Sequence, residues 1–179
     1  MSDEKKLYGF LVEFEEVDDL RSAAEKVRDA GYTQWDCHSP FPIHGMDGAM
    51  GIKPTILPWF VLCAGIIGAT VGLLMQWYMN AVDYPIIISG KPMFSLPANI
   101  PIIFELTILL SALTAVGGLF ALNGLPMHYH PLFSNERFLR ATNDRFFLVI
   151  EARDPKFNLE QTRQLLDSFG GAAVETVED

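Results

Sequence analysis

The stretch WFVLCAGIIGATVGLLMQWYM, residues Trp59–Met79, holds no charged side chain in 21 positions. At about 1.5 Å per residue it makes a helix of roughly 30 Å, the thickness of a bilayer's hydrocarbon core. A second run, IPIIFELTILLSALTAVGGLFAL (Ile100–Leu122), is broken only by Glu105. A soluble chain of 179 residues has too little surface to cover two such helices. The pair predicts a transmembrane helical hairpin over residues 56–125, with an inter-helix loop at 80–99.

On either side of these runs the pattern changes to that of a soluble domain. Residues 1–55 begin with LYGFLVEF (Leu7–Phe14), aromatic and branched as a strand should be. VDDLRSAAEKVRDAG follows, with Val17, Leu20, Ala23, Ala24 and Val27 at helical spacing and Gly31 as a stop. YTQWDCHSPF (Tyr32–Phe41) reads as a second strand, completing a β-α-β unit. FPIHGMDGAMG then reads as a turn-rich surface segment. Residues 126–179 repeat the plan after a surface segment. RFFLVIEAR (Arg145–Arg153) is an apolar strand, and Asn158 caps a helix to about Phe169 with Gln161 as capping-box partner. Leu159, Thr162, Leu165, Leu166 and Phe169 form its expected inner stripe, Gly170-Gly171 stop it, and AAVETVE is the last strand.

Two β-α-β halves predict a ferredoxin-like antiparallel sheet with the first and third strands at its centre. Each half alone exposes an apolar face and open edges, so the fold class is α+β: one ferredoxin-like domain interrupted by the membrane hairpin. Two crossings return the chain to the same side. Lys53, Arg137 and Arg140 flank the hairpin against Lys91 alone in its loop, which favours both termini in the cytoplasm and a periplasmic loop. The start MSDEKK does not read as a signal peptide, so the first helix is expected to direct its own insertion.

Charge and cysteine content exclude several function classes. The net charge is −9, with eleven Asp and Glu in residues 1–55, two in 56–125 and nine in 126–179. Such acidic ends argue against nucleic acid or anionic lipid headgroups as ligands. Cys37 and Cys63 form no CxxC or CxxCH motif, which rules out covalent c-type haem and a cysteine-held iron–sulfur cluster. The histidines of PMHYHP, His128 and His130, point to opposite sides of an extended segment. With His38 and His44 the nearest further ligand types, they read as hydrogen-bonding residues and not a metal site.

The runs FPIHGMD (Phe41–Asp47), DYP, GKPMFSLP, PIIFELTILL, LPMHYHPLF and RATNDRFFLVIEARDPKF resemble the two-helix ActD-type membrane subunit of bacterial alternative complex III. The resemblance covers nearly the whole chain. It implies a subunit of a quinol:electron-acceptor oxidoreductase in the inner membrane of a Gram-negative bacterium. It also implies that haem c, iron–sulfur clusters and the quinol site belong to partner subunits, and that this chain binds no cofactor and carries no catalytic residue.

Candidate functional residues lie on the hairpin. Glu105 sits one to two turns inside the second helix, where an unpaired carboxylate costs several kcal/mol. It reads either as a proton-transfer group facing a polytopic subunit or as a structural carboxylate bonded to the loop or a partner. Gly68 and Gly72 form a GxxxG pair extended by Ala64, facing either the Ser111, Ala115 and Gly118 row of the second helix or another subunit. Trp59, Trp77 and Tyr78 are expected as interfacial anchors of the first helix. The resulting expectation is a non-catalytic assembly subunit whose partners are polytopic quinol-site subunits and the lipid bilayer. The alternative is an independent oligomeric channel or transporter protomer, poorly served by one carboxylate and no polar stripe. A sheet-borne sensor domain lacks any Gly-rich phosphate loop.

Overall fold

The structure, a computed structural model, describes residues 6–178; the MSDEK start, read above as carrying no targeting signal, and Asp179 lie outside them. In chain order the elements are β1 (Leu7–Phe14), α1 (Val17–Ala30), β2 (Trp35–His38), α2 (Met46–Met50), α3 (Leu57–Tyr78), α4 (Leu96–Leu122), β3 (Phe146–Glu151), α5 (Leu159–Asp167) and β4 (Ala173–Glu178). The chain divides into two units, one made of the stretches up to Lys53 and from His128, the other of Pro54–Met127.

The first unit is built on a four-stranded antiparallel sheet in the order β2-β3-β1-β4. The two apolar strands hold the inner positions, with Val12 opposite Leu148 and Leu11 opposite Val149. Both faces of the sheet are covered, which is why neither strand alternates cleanly between apolar and polar residues. On one face Phe10, Val12, Phe14, Leu148 and Ile150 pack with Leu20, Ala24 and Val27 of α1 and Leu166 of α5. On the other, Leu11, Phe147, Val149 and Val177 pack with Leu132, Phe138 and Ala141. Those last three come from two 3-10 turns, Pro131–Ser134 and Arg137–Thr142, in the stretch read from sequence as a surface segment.

Several local expectations need correction. β2 is four residues long, because Thr33 and Gln34 turn their backbone N–H groups to a side chain and not to a strand. FPIHGMDGAMG is more than surface: it contains α2, whose Met46 and Ala49 enter the core beside α1. The N-terminus of α5 is capped by Asn158, which accepts from the N–H groups of Glu160 and Gln161. The reciprocal bond comes from Thr162 Oγ1, which accepts the Asn158 N–H at 3.0 Å, and not from Gln161. Leu159 is exposed, off the inner stripe, because the buried face runs through Thr162 and Leu166.

In the second unit α3 runs on through one π-helical turn, Met79–Asp83, and α4 starts at Leu96, so the connection spans only residues 84–95. At about 1.5 Å per residue, 27 residues reach roughly 40 Å, enough to cross a bilayer with some tilt. A soluble core helix of this composition is mostly buried. Here 11% of the most apolar window of α3 is buried and 0% of that of α4.

Candidate functional site

The hairpin is closed by glycine. Gly65, Gly68 and Gly72 are the buried residues of α3, on one stripe at spacings of three and four. A Cβ at Gly68 would lie 2.5 Å from the Leu106 carbonyl oxygen and 2.9 Å from Thr107 Cα, and one at Gly72 2.9 Å from Ile103 Cα. Any side chain there would strike the backbone of α4, so these positions set how closely the two helices approach. Ala64 is half-buried beside the stripe, and Gly65, not singled out in the sequence, takes the central place against Ser111. Of the small residues of α4, Ser111 meets Gly65. Gly68 and Gly72 receive Leu106, Thr107 and Ile103, whereas Gly118 of α4 receives Leu57, with Ser111 and Ala115 half-buried between. The Thr70 and Thr107 hydroxyls donate to the carbonyls of Ile66 and Ile103 within their own helices, leaving no polar stripe between them.

Glu105 is the only charged residue of α3 and α4. It is exposed and on the side of α4 away from Ile103, Leu106, Thr107 and Ser111, and no hydrogen bond or ion pair from the described residues reaches it. The inter-helix connection therefore does not cover it. In hydrocarbon, a bare carboxylate near a helix centre costs about 2.5–3.5 kcal/mol on insertion scales. Trp59, Trp77 and Tyr78 are exposed at the two ends of α3.

The sheet unit treats its charges differently. Glu13 of β1 is 4% exposed, and three guanidinium groups converge on it. Arg137 Nη1 donates to it at 3.0 Å, while Arg140 and Arg145 stand at ion-pair distances of 3.5 and 3.3 Å. Arg137 also pairs with Glu175 at 2.6 Å, and Arg145 with Glu15. The cluster clasps the second 3-10 turn to the sheet face carrying Leu11 and Phe147. Asp154 plays a similar part at the other end of β3. Buried, it accepts from the N–H groups of Thr33 (2.6 Å), Gln34 (2.7 Å) and Lys156 (2.7 Å). Burial alone would raise its pKa, but these backbone donors outweigh it and hold the carboxyl below the usual carboxylate range.

Of the four histidines, His130 is the one hydrogen-bonded through its ring nitrogens among the described residues of the same unit. His130 faces the Tyr8 hydroxyl at 3.3 Å, and its Nδ1 accepts the Leu132 N–H at 3.4 Å. The Tyr8 hydroxyl also donates to Glu151 at 3.2 Å; burial first and then that carboxylate push its pKa to about 12. His38 lies edge-on to Phe138 beside an open, mainly apolar cleft of about 580 Å³ lined by Phe41, Phe133 and Leu139. Its Nε2 is buried without a partner, and burial lowers its pKa, only partly offset by Asp36. Burial likewise raises the Cys37 thiol to about 12, so it is protonated at neutral pH and packs as a small apolar group. His44 and His128 are exposed.

A comparison with curated protein sequences gives no match. The family model for the ActD subunit of alternative complex III matches residues 8–176, nearly the whole chain. The chain belongs to the ActD family. As a member it is a subunit of alternative complex III, an oxidoreductase complex, and the other subunits of that complex are its partners. The match runs unbroken from β1 to β4, so it includes both polar clusters of the sheet unit and the whole hairpin. No signal in the sequence singled out Glu13 or Asp154: the arginines around Glu13, and Thr33 and Gln34 at Asp154, lie more than a hundred residues away.

Proposed function

We propose that this chain is a non-catalytic assembly subunit of alternative complex III, a respiratory quinol:acceptor oxidoreductase of the bacterial inner membrane. In this reading a ferredoxin-like domain on the cytoplasmic side is interrupted by a transmembrane hairpin with its loop in the periplasm. The observation that carries it is strand pairing: β1 pairs with β3 and β4, and β2 with β3, so every ladder joins residues on opposite sides of the hairpin in sequence. The hairpin is thus an insertion into one domain and not an anchor appended to it. Trp59, Trp77 and Tyr78 place α3 at the two interfaces, and the packed glycine stripe makes the hairpin a preformed unit for docking. Polytopic quinol-site subunits bind it and, with other partners, hold the haem c groups, iron–sulfur clusters and quinol. This chain supplies position, not redox chemistry.

Proton transfer through Glu105 is the second reading, favoured by the outward orientation of that carboxylate. A relay needs successive groups, however, and from Leu106 to Leu122 α4 offers no further carboxylate, histidine or lysine. An independent channel or transporter protomer is served still less, since α3 and α4 have no polar stripe.

Affinity isolation through this chain from membranes in gentle detergent, followed by a haem stain of the co-purifying bands, tests the assembly reading. Haem-bearing subunits are expected in the isolate. Recovery of a homo-oligomer alone, free of haem proteins, would overturn it.

A further inference from the structure

Glu105 poses a problem that the hairpin does not solve. It is the tenth residue of α4, about 14 Å along the helix axis from its start. That depth lies inside the hydrocarbon of a bilayer centred on the helix. The face of α4 turned to α3 is filled by Ile103, Leu106, Thr107 and Ser111 against the glycine stripe, and Glu105 points the other way. Lys91, the only cation between Pro54 and Met127, forms no ion pair with it among the described residues. Nothing in this unit neutralises the carboxylate.

Its surroundings are those of a packing seam. Ala98 and Ala112 stand seven residues before and after Glu105, so all three share one side of α4, and all three are exposed. Small side chains one heptad either way let a neighbouring helix come close enough for a long side chain to reach the carboxylate. Lipid tails offer no such partner. A second copy of this chain docked symmetrically through the same face would bring Glu105 toward Glu105, a like-charge contact.

Resting on the assembly reading above, we infer that the Ala98–Glu105–Ala112 face of α4 docks a membrane helix of another subunit that brings a lysine or arginine to Glu105. The carboxylate then acts as a positioning group that fixes the depth and rotation of the hairpin against its neighbour.

Photo-crosslinking in native membranes, with a photoreactive residue at position 98 or 112 and Glu105 intact, tests the inference. An adduct with another membrane subunit is expected from both positions, and none from the same probe at Gly117. In parallel, Glu105→Gln is expected to cut the yield of haem-bearing complex isolated through this chain by about tenfold, and Glu105→Lys further. Both variants are quantified in the membrane fraction beforehand. Glu105→Gln removes a charge from a spanning helix and so eases insertion; its loss of complex is therefore not a failure to insert. Adducts with lipid only or with a second copy of this chain, or wild-type yield from Glu105→Gln, overturn the inference. Wild-type chain that still isolates haem subunits in those cases leaves the assembly reading standing.

Discussion

Two glutamates mark the contrast between the halves of this molecule. Glu13 is 4% exposed and held by Arg137, Arg140 and Arg145; Glu105 is exposed and forms no hydrogen bond or ion pair among the described residues. The sheet unit closes its own account: apolar clusters on both faces, a carboxylate ringed by arginines and another by backbone N–H groups. The hairpin is packed only along one glycine stripe and leaves its remaining surface to lipid or to protein. On the assembly reading proposed above, self-sufficiency in the one and incompleteness in the other serve as a rigid mount and an adhesive arm.

The contrast is open to mutation, with the heaviest blow expected in the sheet. Phe147→Ala empties a fully buried site between β3 and Phe138 and should cost about 3–5 kcal/mol. It would appear as a lowered denaturation midpoint of the full chain in mild detergent. Glu13→Gln leaves the arginines without their shared anion, at about 2–3 kcal/mol. That is less than the roughly 3–5 kcal/mol of a fully buried pair, since these guanidiniums still reach water. An unchanged midpoint would mean the clasp is dispensable and the contrast drawn too sharply. On the hairpin, Gly68→Ala should cost about 1–3 kcal/mol by pressing on the α4 backbone, seen as a lower thermal midpoint.

Asp154→Asn should cost about 1–2 kcal/mol through weakened charge-assisted bonds. Its pH signature is directional. The folded carboxyl titrates below its ordinary value of 3.8, so its contribution is complete above about pH 4 and is lost as pH falls through the folded value. A titration of stability on the acid side should therefore be shallower in the Asn variant. Smallest of all, Gly117→Ala meets nothing within 4 Å and should be neutral or gain up to about 1 kcal/mol from helix propensity. A cost comparable to that of Gly68→Ala would show that the surroundings of Gly117 are already crowded.

What could be read in advance follows the range of the interaction. Periodicity located α1, the two apolar runs, and β1 and β3, because those patterns repeat within a few residues. Asn158 was legible as a cap for the same reason, yet its reciprocal partner was not: Thr162 and Gln161 are both within reach, and only the backbone path of α5 chooses between them. Gly65 escaped the reading because a GxxxG row extends by fours through Ala64, whereas the facing stripe of a helix shifts between threes and fours. The arginines around Glu13 were visible only as basic residues near the membrane. Nothing local in RATNDR points to a carboxylate on the opposite end of the chain. The side of α4 that Glu105 occupies was likewise invisible until α3 fixed which face was inner.

The strand order carries a consequence for synthesis. A nascent chain holding only β1, α1 and β2 can form no ladder at all, because neither strand is the other's neighbour. The first sheet hydrogen bonds become possible once β3 has been made, after the entire hairpin has passed. On the topology proposed above, each finished domain is therefore a record that both crossings were completed and the chain was brought back to the side it left. A molecule of that proposed topology, stalled after one crossing, would keep β1 and β3 on opposite sides of the bilayer, with its apolar strand bare and open to removal. On that topology the fold inspects its own insertion.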